Sequence, residues 1–256
     1  MGTPDRNARR LYGDVGVEVV DAGFLVVLDR RPVRTPMRAL LCLPNASLAD
    51  AVASEWRAQG EVVRPSSMPL TQLANTAIDR LTDAPVRASM ISEIMRFASA
   101  DLLCYRADHP PELAERQAAA WQPVLDWLEA RFGAPLTVTP GLLAVSQPEP
   151  SLLALRRVLE ACGGFPLAGV QSAATVCGSL ALALALREGR LSAEEVFAAS
   201  HVDEHFQAEQ WGEDAEAGRR RDHLRDDVRA AALFLSLAEP NRPRPPDEEP
   251  AADHRQ

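Results

Sequence analysis

The stretch FPLAGVQSAATVCGSLALALAL, residues 165–186, decides the fold. It carries no charged residue and is long enough to cross a bilayer, so it is either a membrane span or the centre of a soluble core. Composition selects the core. Alanine, glycine and serine dominate, Gln171, Ser172, Thr175 and Ser179 recur, and arginines flank both ends at Arg156, Arg157, Arg187 and Arg190 with no positive-inside asymmetry. The run therefore reads as one central helix surrounded by others, its small side chains letting neighbours approach closely.

Outward from this run, helical patterns extend in both directions. Residues 192–211 and 214–238 read as two further helices separated near Gly212, and 148–162 is amphipathic until Gly163-Gly164 stops it. Residues 111–132 form a helix that Gly133 ends and that Pro123 must kink or divide, because proline supplies no amide proton. Residues 136–145 fit neither pattern. Asp83 caps a helix with Pro85 in its first turn and Val86, Met90, Ile91, Ile94 and Phe97 on one face, and 69–81 places Leu70, Leu73, Ala74, Ala77, Ile78 and Leu81 at helical spacing. Ser47 caps another helix, with Leu48, Ala51, Val52, the Glu55 stem and Trp56 on its apolar face and Gly60 closing it. Upstream the period changes to that of strands. Residues 15–20 and 24–28 flank the turn Asp21-Ala22-Gly23, Arg30-Arg31-Pro32 turns into 33–35, and 39–43 runs up to Pro44, a β-meander.

The expected architecture is α+β. A small β-rich N-terminal domain with flanking helices occupies 1–82, a larger all-helical domain 83–239, and a disordered tail 240–256, whose proline and charge leave too little apolar surface to offset the entropy of ordering.

Acidic residues outnumber basic ones 36 to 27, for a net charge of -9, so the average field repels nucleic acid. Every basic residue outside the histidines is arginine, which removes lysine Schiff-base chemistry and the Walker-type phosphate loop. Cys42, Cys104, Cys162 and Cys177 form no C-x-x-C pair and read as reduced, mostly buried thiols. The N-terminus lacks the apolar segment of a secretory signal, so a cytoplasmic protein without membrane insertion is expected.

His201-Val202-Asp203-Glu204-His205 fits the H-x-x-E-H pattern of inverted zinc peptidases, which makes a zinc-dependent hydrolase the alternative enzyme reading. No third zinc ligand stands out downstream, where Glu213 and Glu216 are generic acids, and an amphipathic helix with exposed polar residues explains the same pattern. Trp56, Trp121 and Trp127 sit on apolar faces. Trp211 differs, lying among Gln207, Glu209, Gln210, Glu213 and Asp214 just before a glycine break. It is either a plug over a helix junction or an anchor for a partner, beside an acidic strip suited to an arginine-bearing surface.

Several runs resemble, as an ordered set, the α-subunit-specific assembly chaperones of the F1 ATP synthase. They are LDRRPVRTP from Leu28, EWRAQG from Glu55, MPLTQLANTAID from Met68, DLLCYR from Asp101, and the 207–212 run with Trp211-Gly212. The resemblance implies an ATP-independent, non-catalytic binding protein without a cofactor that holds the unassembled α subunit until the β subunit replaces it, with relatives in the mitochondrial matrix. It also implies an essential acidic position just before the Gln-x-x-x-Trp-Gly stretch, falling on Asp203 or Glu204. Asp203, Glu204, Gln207, Trp211, Glu213 and Asp214 are the expected partner-binding residues, with no cofactor or metal, and the role suggests a monomer. One departure is Arg30, where relatives commonly carry glycine. The two histidines are not carried over by the resemblance.

Overall fold

The computed structural model describes residues 8–141, 143–212 and 214–239; the expected tail and Glu213 lie outside the described residues. β1 (Ala8–Arg9) leads into β2 (Val15–Val20), which pairs antiparallel with β3 (Gly23–Leu28) in an unbroken register from Val15↔Leu28 to Val20↔Gly23. β4 (Arg31–Pro32) and β5 (Cys42–Leu43) both lie on the far side of β3, one at each of its ends. Between them the chain leaves the sheet as an arm. The Val33 N–H donates to the Val26 carbonyl and the Leu41 N–H to the Val33 carbonyl, each at 2.9 Å, and Arg34 bridges Leu40. The strand expected over 39–43 is therefore reduced to its last two residues, because most of it pairs within the arm.

Asp29 and Arg30 form the two-residue turn between β3 and β4, both left-handed at φ 47° and 64°. Such a turn matches the twist of its strands but favours glycine and asparagine. Asp29 compensates by accepting the Asp14 N–H at 2.9 Å and the Gly13 N–H at 3.1 Å, bonds that lower its pKa. Arg30 gains no such support among the described residues.

α1 (Ala46–Arg57) starts two residues earlier than Ser47 suggests: Asn45 is the cap, its Oδ1 accepting the Leu48 N–H at 2.9 Å, and Ala58 rather than Gly60 ends the helix. Leu48, Ala49, Val52 and Ala53 are buried, and α1 packs on β2 and β3. β6 (Val62–Val63) then returns alongside β1. α2 (Pro69–Arg80) has no capping side chain of its own. Glu55 supplies one from α1: Oε1 accepts the Leu70 N–H at 2.8 Å, and Oε2 accepts the Thr71 N–H at 2.8 Å and hydroxyl at 2.6 Å. Gln59 closes the connecting loop by accepting the Arg64 N–H at 2.7 Å and donating to the Glu55 carbonyl at 3.0 Å.

α3 (Ala84–Ser99) is capped by Asp83 as expected. A 3₁₀ turn, Leu102–Cys104, precedes β7 (Tyr105–Arg106), which pairs in parallel with β8 (Thr139–Pro140), the one short strand in the ambiguous 136–145 segment. Between them α4 (Pro111–Phe132) runs undivided through Pro123. Trp121, Val124, Leu125 and Leu128 are buried whereas Pro123 and Ala119 are exposed, so the carbonyl that proline leaves unpaired sits on the solvent side. α5 (Glu149–Glu160) follows.

The 165–186 run is not one helix. It is α6 (Gly164–Cys177) and α7 (Leu180–Arg187), broken at Gly178, which is left-handed at φ 64°. Tertiary bonds make the break. The Ser179 hydroxyl accepts the Leu182 N–H at 3.0 Å, the buried Asp101 carboxylate accepts the Ala181 and Leu103 N–H groups at 3.1 Å each, and the Leu102 N–H donates to the Gly178 carbonyl at 3.2 Å. α8 (Ala193–Ser200), α9 (Val202–Trp211) and α10 (Ala215–Ala238) follow as the last helices of the described residues. The central position expected for the run holds: α10 and α2 pack on α6, and a Cβ added at Gly169 would lie 2.7 Å from the Leu235 side chain, an approach only glycine permits. One hydrophobic cluster runs from Val15 to Leu235. The expected boundary at 82–83 lies at the corner between α2 and α3, and both sides of that corner bury side chains in this shared cluster.

Two stability predictions follow from these turns and caps. Arg30→Gly relieves the left-handed strain, and its unfolding free energy from urea titration should rise by about 0.5–1 kcal/mol once the entropy of the added glycine is deducted. Burial pushes the Asp101 carboxyl up from 3.8 to about 6 against the bonds it accepts. The folded chain thus holds this proton more tightly than the unfolded one, so the contribution is complete below about pH 4 and falls as pH rises through about 6. Asp101→Asn cannot ionise; the stability gap between wild type and this variant should narrow by about 2–3 kcal/mol from pH 4 to pH 7. A gap that does not change with pH would show that Asp101 is ionised throughout.

Candidate functional site

The helix expected over 192–211 breaks at His201, which leaves helical geometry at φ -125°, ψ 28° and separates α8 from α9. The imidazole is 6% exposed, stacks on Phe197 at 4.2 Å, and has its Nδ1 3.1 Å from the Phe197 carbonyl and 2.9 Å from the Ser200 hydroxyl. Burial lowers the pKa of His201, and burial with the Arg221 charge lowers that of His205. His201 fills the joint between two helices. Among the described residues no group of three or more histidine, cysteine, aspartate or glutamate side chains could hold a metal ion, so the zinc reading gains no support.

One face of α9 is seated on α4. Phe206 is buried beneath the Arg116 guanidinium, 5.2 Å from its ring, and Arg116 pairs with Glu209 at 2.7 Å. Asp203 accepts the Gln117 Nε2–H at 2.7 Å. Gln117 is 2% exposed, and it also accepts the Ala107 N–H through Oε1 at 2.7 Å and the Arg106 guanidinium through its carbonyl at 2.6 Å. The Trp121 indole N–H donates to the Ala199 carbonyl at 2.7 Å, fixing the end of α8 to the same helix. Asp203 is therefore part of the seat of α9.

The opposite face of α9 borders a cleft of about 610 Å³ against the start of α10. Glu204, Gln207, Ala208 and Trp211 line one wall, spaced so that they stack on a single helical face. Asp214 and Glu216 stand at the junction, and Arg220, Arg221 and Leu224 form the far wall. Trp211 is 78% exposed, which removes the reading of a packing plug. Gly212, left-handed at φ 82°, ends α9 immediately after it.

Of the sequence-derived partner residues, the fold brings together Glu204, Gln207, Trp211 and Asp214, and it places Asp203 on the neighbouring face. Sequence reading did not foresee the arginine wall, although the run Arg219-Arg220-Arg221 was visible. Nor did it foresee Gln117, whose role depends on a contact between distant helices. Among the described residues no helix is long and apolar enough to cross a membrane.

Residues 9–129 match the family model described as ATP12 chaperone protein. Protein atp12, mitochondrial, from Schizosaccharomyces pombe is 24% identical over 248 residues, 92% of this chain and 85% of that protein. The crystal structure of Atp12 from Paracoccus denitrificans has a TM-score of 0.84 at 39% identity, covering 90% of this chain and 98% of that one; an aspartate-to-lysine mutant of the same protein gives the same values. The Atu1473 protein from Agrobacterium tumefaciens matches with a TM-score of 0.85 at 42% identity, over 90% of this chain and 86% of that one. Sheet, helical unit and α9–α10 cleft thus sit in a chain that belongs to the ATP12 chaperone family, the ATP synthase assembly chaperones.

Proposed function

We propose that this protein is an ATP-independent chaperone that binds the unassembled α subunit of F1 ATP synthase, as a cytoplasmic monomer, and covers its assembly interface until the β subunit takes that place. A subunit destined for a ring exposes apolar interface while alone, and that surface drives aggregation. A cover displaced without ATP must bind more weakly than the true neighbour and yield by mass action. The role needs binding and no chemical step.

The observation that carries this reading is the exposed indole of Trp211 on the same face as Glu204 and Gln207, at the mouth of a cleft where Glu204, Asp214 and Glu216 stand across from Arg220 and Arg221. Tryptophan is the commonest kind of interface anchor, and carboxylates beside it speed encounter with a basic partner surface. Asp214 extends this surface, and Glu213 belongs with it by sequence. Asp203 contributes by setting the angle of α9 through Gln117 and by adding charge at the rim.

Variants should separate contact from support. Glu204→Lys and Trp211→Ala remove exposed groups, so each should shift stability by no more than about 0.5 kcal/mol. Together they should abolish co-purification of the α subunit; unchanged recovery of α would overturn the site. Asp203→Ala leaves the Gln117 amide buried without its acceptor and should cost about 1–2 kcal/mol in urea unfolding, with weaker α capture as a consequence. For the function itself, pull-down from the native cell should enrich the α subunit over β, and equal recovery of both would count against it.

A further inference from the structure

The arm between β4 and β5 is held far more firmly than a connecting loop requires. Thr35 is 4% exposed at its base, donating its hydroxyl to Asp79 on α2 and accepting the Ala39 N–H at 3.1 Å. The Met37 N–H donates to the other Asp79 oxygen at 3.1 Å. The Thr35 N–H donates to the Ala39 carbonyl at 2.9 Å and the Arg38 N–H to the Thr35 carbonyl at 2.8 Å. Arg38 is left-handed at φ 68°, a conformation that costs energy in any residue bearing a Cβ. The side chain presented by this apparatus is Met37, which is 70% exposed, next to Leu40 at 40%.

Charge marks the same arm. Arg30, Arg31, Arg34 and Arg38 are all exposed, and none of them is in an ion pair among the described residues. Arg34 donates instead to the Arg38 carbonyl at 2.8 Å, and Arg31 acts on Asp29 only through its field. Asp29 and Asp79 spend their oxygens on backbone and hydroxyl donors of the turn and the arm. In a chain of net charge -9 this is a locally basic, rigid tip with an apolar centre.

We infer that the 30–40 arm is a second docking surface, separate from the α9–α10 cleft, and that its occupant is an acidic polypeptide segment carrying an apolar side chain that lies against Met37. Guanidinium groups recognise carboxylates through paired hydrogen bonds, methionine adapts to the shape of an apolar partner, and a rigid loop loses little entropy on binding. An anionic membrane is the less favoured occupant, because the whole chain is acidic and the tip offers little apolar surface for insertion.

The test uses the full chain and a fluorescein-labelled peptide of alternating glutamate and leucine, read by fluorescence anisotropy. Wild type should bind saturably, and affinity should fall as salt rises. Arg34→Ser with Arg38→Ser should weaken binding at least about tenfold, and Met37→Ser about fivefold, with melting temperatures within about 2 °C of wild type because the one bond lost, from Arg34 to the Arg38 carbonyl, is solvent-exposed. Glu204→Lys, in the other site, should leave peptide binding unaltered, so failure here and failure of the α-subunit reading are distinguishable. Absence of saturable binding, equal binding by the double arginine variant, or arginine-dependent sedimentation with phosphatidylglycerol vesicles in place of peptide binding would each overturn the inference.

Discussion

A carboxylate buried where water cannot reach it governs much of this architecture. Asp101 receives N–H groups from two directions, the 3₁₀ turn that follows it and the start of α7, and so it both ends α3's exit and forces the apolar run 165–186 to break. Burying a charge is costly unless its oxygens are satisfied. Here they are, and the geometry is correspondingly fixed. From Asp101 the chain passes through β7 to Ala107, which donates to Gln117, and Gln117 in turn donates to Asp203 at the base of α9. The helix that carries the exposed tryptophan is thus tied through Gln117 to the segment that leaves the buried Asp101.

Much of this was open to reading from the residues alone. The β2–β3 hairpin and the caps at Asp83 and Gly133 follow from local chemistry, and the structure has them where alternation, capping side chains and glycine place them. The breaks at Gly178 and His201 were not legible. In both cases the apolar or amphipathic pattern continues across the joint, and the competing bonds come from residues distant in sequence. Glu55 shows the same limit: its stem fits the apolar face of α1, but its carboxylate is the cap of another helix. At the site, the residue types around Trp211 announced a surface feature, whereas the separation of Asp203 from Glu204 onto different faces required the helix's neighbours.

The runs that carry the family resemblance divide accordingly. Glu55, Gln59, Asp79 and Asp101 are fasteners between elements, each accepting backbone or hydroxyl donors of another segment, and Thr35 is the hydroxyl through which Asp79 holds the arm. Trp211 and Gly212 are not. A binding protein that must release its client without chemical energy depends on a stiff frame, because flexibility would let it follow the client into tighter embrace. The fasteners provide stiffness, and the indole and its acids provide a contact of limited extent.

Asn45 donates to the Leu237 carbonyl at 2.8 Å, and Arg187 grips Glu239 with two bonds at 2.9 and 3.0 Å. The last helix therefore closes over the first, and α6 lacks one of its walls until α10 arrives. Because α6 and α2 both pack on α10, their apolar faces stay uncovered in any chain emerging from the ribosome until residues 215–238 have followed them. A protein whose proposed task is to shelter an unfinished subunit is itself, for most of its synthesis, in need of shelter.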